Sequence, residues 1–202
     1  MYKSVMKVTN EDSSDQSDNE DDMIISVNKN KVTFHADVDR QSCKKLMDCI
    51  NKAKEYVAIN NILDEFNNDM KVYLSIFSDG GEVYSAFSVI DSIIQSKVDI
   101  ITINEGCVSS AGVLISLAGK ERYIRKNSYM LIHEIRSACW GKYSECVDDM
   151  DNNELLMNHI KSYILNRCNN KKLEKKINKF LKHDKIWNAE KCLKYGLVTK
   201  VI

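Results

Sequence analysis

VDIITINEGCVSSAGVLISLAG, residues 98–119, decides how the rest of the chain is read. Its first part, VDIITI (98–103), is a short β-branched run of the kind that forms a buried strand. GCVSS follows as a glycine-bearing turn, and SAGVLISLAG is apolar enough to be a helix buried on most of its surface. Two adjacent serines, Ser109 and Ser110, stand where strand hands over to helix. A serine there is commonly an N-cap, accepting from the free N–H groups of the first turn. The same position also suits a nucleophile, because unpaired N–H groups and the positive end of the helix favour a developing oxyanion.

The same alternation extends outward. KVYLSIF (71–77) is a strand ended by SDGG, and VYSAFSVIDSIIQSK then places Val83, Tyr84, Phe87, Ile90, Ile93 and Ile94 on one helical face. Upstream, VTFHADVD after Lys31 reads as a strand, and the next segment spaces Leu46, Cys49, Ile50 and Ala53 as a helix. The order β-α-β-α-β-α predicts right-handed crossovers and a parallel α/β sheet, with ligands bound where strands pass into helices. Five of the seven glycines fall between 80 and 119, marking the two turns SDGG and GCVSS as the places of unusual backbone. Downstream come short strands RYIR and YMLI, then an amphipathic helix over about 144–166 with Val147, Met150, Leu155, Met157, Ile160 and Ile164 in register. KLEKKINKFL, a short helix at NAEKCLK and a terminal strand in GLVTKVI complete the chain. The long helix exceeds what a small sheet can cover, so it is expected to protrude and to pack on another subunit or a partner.

Composition narrows the function classes. The 202 residues suit one domain, and no apolar stretch approaches the ~20 residues that span a bilayer, which argues against a membrane anchor. MYKSVMKVTN at the N-terminus has no apolar run behind its lysines, so the expectation is a cytoplasmic or equivalent intracellular compartment. Cysteines at 43, 49, 107, 139, 146, 168 and 192 include no C-x-x-C pair, which argues against a disulfide framework and a zinc site and leaves them expected reduced and mostly buried. Residues 11–22, EDSSDQSDNEDD, carry seven acids and no base, so residues 1–22 read as a solvated, disordered acidic tail ahead of a domain at 23–202. That domain holds 27 bases against 22 acids, too slight and too dispersed an excess for a nucleic-acid track.

A serine needs an adjacent base, itself oriented by a third group. His133 closes the apolar strand YMLIH and emerges at a strand end, while Asp184 lies in HDKIW after a basic helix. Each has an ordinary structural reading, as a buried histidine or a turn acid. Taken together, SDGG, GCVSSAG, NSYMLIH and HDKIWNAEKCLKYGLV, in that order over residues 31–202, resemble the proteolytic subunit of the Clp protease. The resemblance implies a ClpP/crotonase-like α/β fold of β-α-β units with a protruding handle at about 137–168. It implies Ser110 as nucleophile, His133 as general base and Asp184 as its orienting acid, with the backbone N–H groups of Gly81 and Ala111 forming the oxyanion hole. Ser109 is then left to packing or capping.

The resemblance further implies a serine endopeptidase without metal or cofactor. It would cleave peptides and proteins inside a chamber of two stacked seven-membered rings, in which ring contact aligns the triad. The chain has no G-x-x-x-x-G-K-[ST], so any AAA+ ATPase unfoldase must be a separate partner. Alternatives on the same residues are a virus-like assembly-processing peptidase, a non-catalytic ring subunit, and an acyl-CoA hydratase of the crotonase fold. This chain also departs from the family pattern. Asp79 stands for the proline before the two glycines, Glu134-Ile135 for Gln-Pro after the histidine, and His183 for the arginine before Asp184. The N-terminal segment lacks the family's pore-loop sequence.

Overall fold

The computed structural model describes residues 23–63 and 70–202; the acidic run, and with it the boundary at residue 22, lies outside the described residues. A central sheet runs in the order β1 (Ile24–Asn28), β2 (Lys31–His35), β3 (Val72–Ser78), β4 (Ile100–Ser109), β5 (Glu121–Ile124) and β8 (Lys200–Val201). All neighbours from β2 to β8 pair in parallel, as alternation of strand and helix requires. Hairpin partner β1 is antiparallel and was not foreseen. Its tight turn uses Lys29 at φ 57° rather than the Asn-Gly or Asp-Gly pair that advertises such turns.

Strand β4 differs most from its sequence reading. It does not end at Ile103 but continues through GCVS to Ser109. Gly106, at φ 57°, packs where an added Cβ would meet the Phe77 ring, and the strand changes partner on either side of it. Ile101–Asn104 pair with β5, whereas Cys107–Ser109 pair with β6 (Tyr129–Leu131). β6 in turn pairs antiparallel with β7 (Ile186–Asn188). The bend thus creates a small second ladder that carries Ser110 at its end and brings residues 129–133 and 184–188 toward it.

Helices cover the sheet with the faces their periodicity dictates. In α1 (Arg40–Leu63) the residues Leu46, Ile50, Ala53 and Val57 are buried at helical spacing, and in α2 (Val83–Ile94) Ala86, Val89, Ile90 and Ile93 are. Helix α3 (Ala111–Leu117) is buried at every position. One side of it is closed by α4 (Tyr143–Cys168), whose Tyr163 hydroxyl donates to Leu114 O at 3.1 Å and whose Arg167 donates to the carbonyls of Leu117, Ala118 and Gly119. Those carbonyls lie in the last turn of α3 and just beyond it, where helix ends leave acceptors free, so the guanidinium is a C-cap from another helix. Downstream, α5 (Lys171–Glu174) and α6 (Ile177–Leu181) lead to β7, and α7 (Ala189–Tyr195) follows it. Phe180, Trp187 and Tyr195 stack with ring centroids 4.8–5.2 Å apart, and the Lys191 ammonium lies 4.0 Å from the Trp187 ring. This cluster fixes both ends of the loop that holds Asp184.

The cysteine expectation needs one correction. Cys139 and Cys146 form a disulfide, with Cα atoms 5.7 Å apart. A spacing of seven has no signature in sequence; the pair meets because the chain folds back into the first turn of α4, where Glu145 accepts from the Lys142 N–H at 2.9 Å. The remaining five are free thiols, of which Cys43, Cys49, Cys168 and Cys192 are buried. Burial pushes the Cys168 and Cys192 thiols up to about 12 and Cys43 up to about 11. Because the thiolate is the reactive form, iodoacetamide at pH 8 should leave these three unmodified in the native protein. Partly exposed Cys107 should react, and Cys139 and Cys146 should do so once reduced; peptide mass spectrometry reads the result. Rapid native alkylation of Cys168 or Cys192 would contradict the packing described.

Candidate active site

Ser110 is one of three non-glycine residues with positive φ among the described residues, at φ 53° and ψ −122°. Such a backbone costs about 1–3 kcal/mol and persists only where the surroundings over-determine it. Here they do. The Ser110 N–H donates to Leu131 O of β6 at 2.9 Å, and its carbonyl accepts from the Val113 N–H at 3.0 Å. Gly80, at φ 100°, closes on it so tightly that an added Cβ would lie 2.6 Å from the Ser110 Cβ. A sharp, strained passage from strand to helix pushes the serine side chain out of the core. Ser109, one residue earlier, is buried, with its hydroxyl 3.5 Å from the Cys107 thiol. Ser110 carries no capping hydrogen bond from its side chain, so the N-cap reading of its hydroxyl does not hold.

The neighbouring turn is held in place by β2's continuation. Val38 N–H donates to Gly80 O at 2.6 Å, and Glu82 N–H donates to Val38 O at 2.7 Å. In an extended segment the residue between these two bonds directs its own N–H the other way, so the Gly81 N–H faces away from Val38. Gly81 must be glycine, since at φ 138° an added Cβ would collide with the Val38 carbonyl. Ala111, first residue of α3, has an N–H for which the helix offers no acceptor. Gly81, Ser110, Ala111 and His133 all line one cavity of about 280 Å³, with Leu114, Ile132, Ile160 and Ile164 among its apolar wall.

His133 follows β6 and is half-buried, and it borders two cavities. One is the Ser110 cavity; the other, of about 450 Å³, is shared with Asp184. The three residues named from sequence therefore converge on one region, but they are not joined. Among the described residues no hydrogen bond links His133 to Ser110 or to Asp184. Instead Arg136 Nη2 donates to Asp184 Oδ2 at 2.5 Å. The loop is tied to the His133 segment a second time, by Glu134 N–H to Leu181 O at 2.9 Å. Where the family pattern has an arginine before the aspartate this chain has His183, and the structure supplies a base beside Asp184 from Arg136, which no periodicity or motif marks. Asp79 and Glu134, two of the departures noted above, line the Ser110 cavity with Arg136. Among the described residues no cluster of three or more His, Cys, Asp or Glu side chains could hold a metal ion, and no helix is long and apolar enough to cross a membrane.

The parallel sheet with its long outlying helix agrees in fold with known proteins. The chain belongs to the Clp protease family, whose profile matches residues 32–202. It is 28% identical over 154 residues to the ATP-dependent Clp protease proteolytic subunit of Streptococcus mutans, an alignment covering 75% of this chain and 79% of that protein. In fold it is similar to a point mutant of ClpP1 from Listeria monocytogenes, with TM-score 0.69 and 18% identity over 86% of this chain and 91% of the other. The fold is therefore the ClpP-type α/β fold, with α4 in the place of the handle.

Proposed function

We propose that this chain is a serine endopeptidase, the proteolytic component of a Clp-type protease. The observation that carries the reading is the backbone of Ser110: a strained residue turned toward a cavity that His133, Gly81 and Ala111 also line. The Ser110 hydroxyl adds to the scissile carbonyl while His133 takes its proton, and the oxyanion receives the N–H groups of Gly81 and Ala111. Collapse of the adduct returns the proton to the leaving amine and leaves an acyl-Ser110 ester, which water, activated again by His133, hydrolyses. Asp184 orients the imidazole and stabilises its charge once it exchanges Arg136 for His133.

Proteins and peptides are the substrates, reaching a chamber formed by stacked rings of this chain, and a separate AAA+ ATPase delivers folded proteins where it is present. A virus-like processing peptidase would use the same chemistry without the ATPase. A non-catalytic ring subunit is favoured by one observation, the bonding of Asp184 to Arg136 rather than to His133. A fluorophosphonate probe separates these readings. Labelling at Ser110, located by intact-mass and peptide mass spectrometry, is expected of the peptidase; an unlabelled Ser110 in assembled protein would leave the non-catalytic subunit.

A further inference from the structure

The Ser110 cavity adjoins a wider groove of about 790 Å³ and shares Gly81, Val83, Ile135 and Arg136 with it. The charged groups lining this groove are Arg40, Lys44 and Arg136 against the single acid Glu82. Arg136 is engaged by Asp184 in this arrangement and adds a further cation to the groove once Asp184 turns to His133, and Glu82 accepts from the Ser85 hydroxyl at 2.7 Å. Arg40 and Lys44 are different. Both are exposed, they stand one turn apart at the start of α1 and so share a face, and among the described residues neither has an ion pair. The Ser110 cavity itself carries the acids Asp79 and Glu134 together with Arg136 and His133. A peptide extending from the Ser110 cavity into the groove therefore passes from walls of mixed charge to walls richer in cations.

We propose that Arg40 and Lys44 form a specificity subsite that selects an Asp or Glu side chain on the flank of the scissile bond lying in this groove. The inference rests on the peptidase reading given above. Two cations held side by side at a groove wall attract one carboxylate and repel a lysine at the same place, so discrimination comes from both partners. Partly exposed charge pairs are modest individually, and two acting together predict a preference of about fivefold to tenfold that shrinks as salt is raised.

The test uses quenched fluorogenic peptides of one apolar core sequence, with Asp or Lys placed at each flanking position in turn. At one flank the wild-type protein is expected to give kcat/KM about fivefold to tenfold higher for Asp than for Lys, and the R40E/K44E double variant should invert that ratio. Equal turnover of the Asp and Lys peptides at every flank, or an Asp preference unchanged in R40E/K44E, would overturn the subsite. Fluorescence anisotropy of the same peptides on Ser110→Ala protein gives the ratio as Kd values without turnover. An Asp preference in binding, lost in R40E/K44E/S110A, alongside a wild-type protein that no fluorophosphonate labels, would uphold the subsite and reject the peptidase chemistry. Labelling and turnover with no charge preference would do the reverse.

Discussion

Ser110→Ala should abolish peptide hydrolysis, with a loss in kcat of roughly 10³- to 10⁶-fold, because removing one member of a triad removes the chemistry of all three. Ser109→Ala should retain most activity, since the Ser109 side chain is buried and its hydroxyl faces the Cys107 thiol. A third variant separates chemistry from folding. Ser110 holds φ 53° and ψ −122°, a conformation open to glycine without strain. Ser110→Gly should therefore be as inactive as Ser110→Ala yet more stable, by about 1 kcal/mol or a few degrees in Tm. Stability and activity would then move in opposite directions at one residue, which is the mark of a backbone held for function. Turnover of a fluorogenic peptide and a thermal melt on the three variants decide the matter. Peptidase activity in Ser110→Ala equal to wild type would rule out Ser110 as the nucleophile.

How much of this was legible beforehand depended on whether the signal was local. Periodicity located α1, α2 and the strand-turn-helix passages, because apolar residues on one face are dictated by what each element covers. The four short motifs pointed to the candidate site residues, and the glycines of SDGG and GCVSS could be read as places of unusual backbone, which Gly80, Gly81 and Gly106 have at φ 100°, 138° and 57°. Contacts made across the fold left no such trace. The continuation of β4 past Gly106 depends on β6, whose paired residues come 22 positions later, and GCVSS by itself looks like a turn. Arg136 is one charged residue in an exposed segment, meaningful only when the loop after α6 brings Asp184 to it. In α4 the pattern was right and its partner wrong. Ile160 and Ile164 were expected at a subunit contact, but they are 4% and 1% exposed, packed into the core of their own chain. One amphipathic stripe looks the same in sequence whichever surface covers it.

Because Ile160 and Ile164 belong to the core, the proposed assembly through the handle is tested at other positions. Helix α4 has 26 residues, about 39 Å at ~1.5 Å per residue, and only its C-terminal half is covered by the rest of the chain. Met157 is partly buried, its sulfur accepting from the Ile135 N–H at 3.3 Å. Earlier along the helix Met150 and Leu155 remain 70% and 72% exposed, beside Tyr143 at 88% and, from the loop before it, Trp140 at 99%. Apolar groups gathered on one free-standing half-helix ask for a partner, and a second copy of the helix offers a matching surface. Each side chain removed from water would contribute about 1.5–3 kcal/mol, so a few per chain, repeated round the proposed ring, would favour contact between two rings. Substituting Ile160 would unfold the protomer rather than question the contact. Met150→Asp with Leu155→Asp leaves the core intact and places charge in the contact. The double variant should melt close to wild type but sediment as single rings or smaller species. Under the proposed function, in which ring contact frees Asp184 from Arg136 and aligns the triad, its peptide turnover should fall by at least 10-fold, since a misplacement of about 1 Å can cost about 10²-fold. Analytical ultracentrifugation and turnover on the same preparation give both readings. A double variant that keeps the wild-type mass, or that falls apart while remaining fully active, would break the proposed link between the handle and the site.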